Sequence, residues 1–205
     1  MTFAKVSSNL DIRFDVKQVL DLREVIHTYG AESFPQIPHE LCWLTYEEQR
    51  VDISKYGETQ TGAISFSRNT ARFLPDFVDS VTDVLKKTFP AIAWRTDRVH
   101  LIRTHGYIPP HTDEVRTCAL NIGLAWSNSA ETQLSTNNQE SDFLVTSRDY
   151  STYTMQDKEA YLLDVSKFHA VSPLTLFSQP RYLVTYGFGV PFRNVLWALN
   201  RTPDQ

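Results

Sequence analysis

The stretch RVHLIRTHGYIPPHTDEVRTCALNIGLAW, residues 98–126, decides how this chain folds. Two runs rich in β-branched and aliphatic residues, 98–108 and 117–126, flank a polar segment that begins at Pro109 and Pro110. Such runs read as strands, and the two prolines restrict the backbone just before His111. In extended backbone, residues two apart point to the same side, so His111 and Asp113 can converge on one point from one strand end.

Towards the C-terminus the same rhythm continues through TQLST, DFLVTS, STYTM, AYLLDV, AVSPLTLF and RYLVTYGFGV, with turn signals such as SNSAE, TNNQES and SQP between them. This predicts eight short strands across 98–190. Residues 1–97 are mixed. VKQVLDLREVIHTY (16–29) fits a helix, while LCWLTY (41–46) and GAISFS (62–67) fit short strands. Over 68–89, Phe73, Leu74, Phe77, Val78, Val81, Val84 and Leu85 recur at helical spacing, with Ser67 or Asn69 able to cap the start and Pro90 closing it. FRNVLWALN (192–200) fits a closing helix. The expectation is an α+β, mainly β chain, a barrel or double-sheet roll propped by helices. One domain spans 1–205, with a mixed support region at 1–97, a β core at 98–190 and a C-terminal helix within 191–205.

Composition narrows the function classes. Hydrophobic residues make up 41% and charged residues 21% of the 205 positions, ordinary for a soluble globular protein. A net charge of −4, with no lysine/arginine run, argues against a nucleic-acid partner. No apolar run is long enough to span a membrane. The charged N-terminus lacks a secretory core, and the two cysteines, Cys42 and Cys118, make no disulfide framework. A cytoplasmic location is the expectation.

An imidazole and a carboxylate side by side suit a first-row divalent metal, and two histidines with one carboxylate suit non-haem Fe(II). Alone, H-x-D is also compatible with a surface turn. A third ligand must come from elsewhere, and His169, in YLLDVSKFHAVSP between two apolar runs, is the candidate. It fits equally a turn histidine or a core histidine bonded to backbone. Arg181 opens the apolar run RYLVTYGFGV, where an inward guanidinium needs an anionic partner and an outward one is a surface charge. Arg116 can reach a substrate or co-substrate carboxylate, or lie in solvent. Asn121, between Leu120 and Ile122, is expected to face a cavity. Arg103 and His105 fit the pocket mouth or a satisfied hydrogen-bonding role, Trp126, Tyr161 and Tyr186 the cavity wall or the core, and Asp164 support for a ligand or an ordinary end-of-strand turn.

Taken in order, PPHTDEVRTCALNIGL, EAYLLDVSKFHAVSP and RYLVTYGFGV resemble the Fe(II)- and 2-oxoglutarate-dependent oxygenase superfamily, in particular its small prolyl- or aspartyl/asparaginyl-hydroxylase-like members. The resemblance covers about residues 98–190. It implies a double-stranded β-helix (jelly-roll, cupin-like) and iron held by His111, Asp113 and His169. Arg181 would pair with the distal carboxylate of 2-oxoglutarate, and dioxygen would be consumed as a C–H bond of a peptide, protein or small molecule is hydroxylated. There are two departures. Aspartyl β-hydroxylases usually lack the acidic ligand kept here as Asp113, and a serine found in some relatives two residues after the arginine is Leu183. Thr185, or a tyrosine, would have to take its place in binding the co-substrate. Two other readings stand beside this one: a non-catalytic β-roll binding module, and a cupin-type metal dioxygenase that does not use 2-oxoglutarate.

Overall fold

The computed structural model describes residues 2–17, 61–66, 74–106, 108–113, 116–144, 147, 149–174 and 181–201. Two antiparallel sheets pack as a jelly roll with flanking helices, the double-stranded β-helix expected. The strands are β1 (Phe3–Ser7), β2 (Thr61–Phe66), β3 (Val99–Gly106), β4 (Ile108–His111), β5 (Cys118–Ala125), β6 (Ala130–Ser135), β7 (Tyr150–Thr154), β8 (Ala160–Leu163), β9 (His169–Pro173) and β10 (Arg181–Phe188). The larger sheet runs β1-β8-β5-β10-β3-β2 and the smaller β4-β9-β6-β7.

Side-chain alternation sorts β10 into two faces. Tyr182, Val184 and Tyr186 join the main core on the helical side, with Leu101, Leu120, Ile122 and Leu162. Arg181 and Leu183 turn the other way, into the space between the sheets. A smaller inner core of Ala119, Leu134, Tyr153, Met155, Tyr161, Leu163 and Val165 fills one end of that space. The opposite end stays open, and polar side chains collect there.

Two helices cover the outer face of the large sheet. α1 (Pro75–Thr88) sets Phe77, Val78, Val81 and Leu85 against the main core, and α2 (Phe192–Leu199) adds Phe192, Val195 and Leu199. The 3.6-residue period put these residues on one stripe, as the sequence predicts. The start differs: α1 begins at Pro75, whose fixed φ suits the first helical position, and its N-cap is Leu74 rather than Ser67 or Asn69. Asp76 in the first turn and Lys86 and Lys87 in the last match the helix dipole. Among the described residues no helix is long and apolar enough to cross a membrane.

Two strand expectations change and one strand is added. The run 98–108 is two strands, β3 in the large sheet and β4 in the small one, so the chain crosses between sheets there. Asp142–Leu144, the start of DFLVTS, are no strand: Glu140–Phe143 form a 3-10 turn, and Leu144 is 58% exposed. The cause is Asp142, whose buried carboxylate accepts from the Ser135 hydroxyl and from the backbone N–H of Asn137 and Gln139. These bonds, the Ser135 hydroxyl foremost, hold its pKa below the ordinary carboxylate value. β1 was not anticipated; FAKVS earns strand geometry by pairing with β8 at the sheet edge. The expected helix over 16–29 shows only its first residues, Val16 and Lys17, and the expected strand at 41–46 lies outside the described residues.

Candidate metal centre

His111 and His169 are register partners where β4 meets β9. The β4 register shifts between Ile108 and His111, the segment that holds Pro109 and Pro110, which have no N–H for a regular ladder. That irregularity lets the strand end and its loop turn together. Past His111 the chain is tied down at once, because the Asp113 N–H donates to the Val165 carbonyl at 3.0 Å. One ligand-capable atom from each of His111, Asp113 and His169 lies within 4.8 Å of the others. His111 Nε2 and Asp113 Oδ1 are 4.0 Å apart, and the two imidazole rings 4.2 Å between centroids. Two nitrogens and one carboxylate oxygen so arranged match the donor set of a non-haem Fe(II) site.

His169 is held in the form a metal needs. Its Nδ1 lies 3.0 Å from the Lys167 carbonyl, which can only accept, so Nδ1 carries the proton and Nε2 keeps its lone pair. Burial, then the nearby His111, pushes the His169 pKa down to about 4, with Asp113 pulling the other way. The ring is therefore neutral at pH 7.

The carboxylate of Asp113 is divided between two tasks. Oδ1 faces His111, while Oδ2 accepts from Arg116 Nε. The same guanidinium donates from Nη1 to Thr185 Oγ1 on β10 at 3.2 Å. A Cβ added at Gly187 would stand 3.0 Å from Arg116 Cδ, so the arginine stem lies directly over that glycine.

Behind this cluster the space between the sheets opens as a cleft. His111, His169, Arg116, Asn121, Thr132 and Arg181 all line it, among aliphatic walls that include Leu183 and Val171. Arg181 is 3% exposed. It donates from Nη1 to Thr132 Oγ1 at 3.1 Å, its Nε has no partner, and no carboxylate among the described residues pairs with it. Burial alone drives its pKa down, and the Tyr153 hydroxyl nearby opposes that. The Tyr153 hydroxyl, also buried, lies close to Arg181, Thr132 and Asn121 without a well-formed hydrogen bond to any of them. Burial raises its pKa to about 12.

Five of the seven expected site residues line one cleft, His111, His169, Arg181, Asn121 and Arg116, and Asp113 joins them through the His-Asp-His cluster and its bond from Arg116. Thr185 is not on the cleft wall; it receives Arg116. Tyr161 stacks on Tyr153 in the inner core, and Tyr186 takes the Arg95 N–H on the helical side. Trp126 is 41% exposed and leans on Tyr182. Asp164 closes a turn by accepting from the Ser166 hydroxyl. The side chains of Arg103 and His105 lie outside the described ones. Thr132 and Tyr153, register partners on β6 and β7 that lie beside Arg181, are not revealed by the sequence: their neighbours in TQLST and STYTM are polar too, so neither stands out as Asn121 does between Leu120 and Ile122.

No protein-family model matches the sequence, and no curated protein matches it either. Among solved structures the chain is similar to a prolyl-4-hydroxylase from Pseudomonas putida, at 8% identity over 91% of each chain with a TM-score of 0.40. It is similar too to a 2OG-Fe(II) oxygenase-family oxidoreductase from Burkholderia pseudomallei, at 12% identity over 91% of this chain and 98% of that one, TM-score 0.38. A third is HygX from Streptomyces hygroscopicus, solved with nickel, 2-oxoglutarate and hygromycin B bound, at 9% identity over 91% of this chain and 82% of that one, TM-score 0.42. These likenesses are remote, and the chemistry of the cleft has to be read from its own side chains.

Proposed function

We propose that this chain is an Fe(II)- and 2-oxoglutarate-dependent dioxygenase that hydroxylates a C–H bond of a peptidyl proline, aspartate or asparagine, or of a small molecule. The observation that carries the reading is Arg181: a fully buried guanidinium that pairs with no carboxylate among the described residues, in the same cleft as a His-Asp-His cluster. A buried charge left unpaired costs several kcal/mol, about 3–5 when a partner is removed. A site that keeps one is built to receive an anion.

His111, Asp113 and His169 would hold the iron, each through one atom. Arg181 would grip the far carboxylate of 2-oxoglutarate with its planar fork, with Thr132 and Tyr153 offering hydroxyls beside it and Asn121 on the adjoining wall. Aliphatic side chains, Leu163, Leu183 and Val171 among them, wall the cleft between these polar groups. Iron with 2-oxoglutarate and dioxygen supplies the oxidising power, releasing succinate and carbon dioxide. We infer that the enzyme works in the cytoplasm, as a single domain on a soluble substrate. Arg181 also weighs against the two other readings, since neither a binding module nor a cupin-type enzyme without 2-oxoglutarate needs a carboxylate clamp beside the metal.

The test is conversion of 2-oxoglutarate to succinate by anaerobically purified protein given Fe(II) and air, with and without candidate substrates. Succinate formed by the wild type and lost in Arg181→Met supports the proposal. Equal activity in Arg181→Met, or no binding of 2-oxoglutarate by the iron-loaded wild type, defeats it.

A further inference from the structure

The segment after His111 carries one arrangement that neither metal binding nor 2-oxoglutarate capture requires. Arg116 spans from the Asp113 carboxylate to Thr185 on β10, and its stem lies across Gly187 two residues further on. The next residue is fastened to the same strand, because the Thr117 N–H donates to the Phe188 carbonyl at 3.0 Å and its hydroxyl to the Val190 carbonyl at 2.8 Å. The loop that presents Asp113 is therefore strapped to β10, the strand that also carries Arg181.

We infer that Arg116 is a positioning residue that keeps Asp113 a one-oxygen ligand, with Thr185 and Gly187 forming its seat. This rests on the metal reading proposed above. The argument is one of counting. An octahedral ion with two imidazoles and one carboxylate oxygen keeps three positions free, enough for a chelating keto acid and dioxygen. A carboxylate binding through both oxygens would take one of those three. Arg116 occupies Oδ2 with a charge-assisted hydrogen bond, and only Oδ1 remains turned towards His111. Thr185 fixes the guanidinium plane, so the restraint is directional as well as electrostatic. A lysine would supply the charge without the two-point geometry.

The experiment uses Co(II) as a spectroscopic probe on apo protein, with affinity from titration, the visible spectrum of the bound ion, and its change on adding 2-oxoglutarate. Folding is checked by circular dichroism. Arg116→Gln is expected to weaken Co(II) binding by about 10–100-fold, the usual effect of losing a group that orients a metal ligand. It should also alter the Co(II) spectrum and weaken the response to 2-oxoglutarate. Thr185→Val removes only the seat, and is expected to alter the spectrum with a smaller loss of affinity; it decides the matter if Arg116→Gln does not fold. Arg116→Lys should recover affinity in part and leave the spectrum changed.

Wild-type affinity and spectrum in Arg116→Gln, or in Thr185→Val, overturn the inference. So does full recovery of both by Arg116→Lys, which would reduce the effect to charge alone. If the wild type takes up Co(II) no better than His111→Ala, the metal reading itself has failed, and the strap with it.

Discussion

His111 and His169 face each other across one rung of the β4–β9 ladder, their rings 4.2 Å apart at the centroids, yet only His169 is buried. The pair is thus unequal. His111 stands at the cleft mouth with its side chain 41% exposed, whereas His169 is sealed against the sheet and fixed by Lys167. Replacing either by alanine removes one of three ligands, and metal affinity is expected to fall by more than about 100-fold in both, beyond the range for a lost supporting partner. Apo stability should separate them: His169→Ala opens a buried gap and lowers it, while His111→Ala leaves it nearly unchanged. Metal titration and thermal unfolding of the two variants check this.

Arg181 is predicted to trade apo stability for function. Its guanidinium is desolvated, with Thr132 as its one hydrogen-bond partner among the described residues. Arg181→Met keeps most of the volume and removes the charge, so the apo protein should gain about 1–3 kcal/mol. For a chain of this size that is roughly 2–4 °C per kcal/mol in melting temperature. Binding of 2-oxoglutarate should disappear in the same variant. The wild type in turn should be stabilised by the ligand, by about 2.7 kcal/mol at a hundred times its dissociation constant. Unfolding curves with and without 2-oxoglutarate test both halves.

How much of this was legible in the sequence follows from the range of the interactions involved. His111 and Asp113 could be read as a pair because two-residue spacing puts them on one side of a strand wherever that strand lies. Arg181 and Asn121 stood out because a polar residue in an apolar run must find a cavity or a partner. Tyr153 and Thr132 were not legible: their value lies in meeting Arg181, and β6, β7 and β10 are brought together only by the packing of two sheets. The break between β3 and β4 was hidden for a related reason. The apolar rhythm runs on through it, and only the sheet partners change. Asp142 misled in the opposite sense, a charged residue that belongs to a turn because Ser135 and two backbone N–H groups receive it.

Acid is expected to destabilise the apo protein through His169. Its folded pKa, about 4, lies below the ordinary value of 6.5, chiefly because burial disfavours the charged ring. Above pH 6.5 the ring is neutral in both states and contributes no pH dependence. As pH falls from 6.5 the unfolded chain takes up a proton that the folded one refuses, so stability is lost progressively until the folded ring also titrates near 4. The loss across that window is on the order of 3 kcal/mol. His169→Asn, which cannot titrate, should flatten the limb between pH 6.5 and 4 in denaturant unfolding. A limb of undiminished slope would assign the acid sensitivity to other groups. Bound metal should deepen the wild-type limb, since protons compete with it for the same nitrogen.

Two glycines should separate folding from the metal site. At Gly123 in β5 an added Cβ would lie 2.4 Å from the Gln156 carbonyl oxygen and 2.6 Å from Ser127 Oγ. The carbonyl belongs to backbone and cannot retreat without disturbing the turn, which is itself held by the Gly123 N–H to the Glu159 carbonyl at 2.9 Å and the Lys158 N–H to the Gly123 carbonyl at 2.8 Å. Gly123→Ala is therefore expected to cost about 1–3 kcal/mol of stability, as overpacking does, while folded protein at low temperature still binds metal. At Gly187 the three nearest atoms all belong to the stem of Arg116, the closest at 3.0 Å, and a side chain can shift by a few tenths of an ångström. Gly187→Ala should leave the melting temperature of apo protein almost unchanged and lower metal affinity, because the displaced stem carries the guanidinium off the line between Asp113 and Thr185. Melting temperature and Co(II) affinity, measured for both variants, should cross over, and parallel losses in the two quantities would show that the glycines serve one structural end.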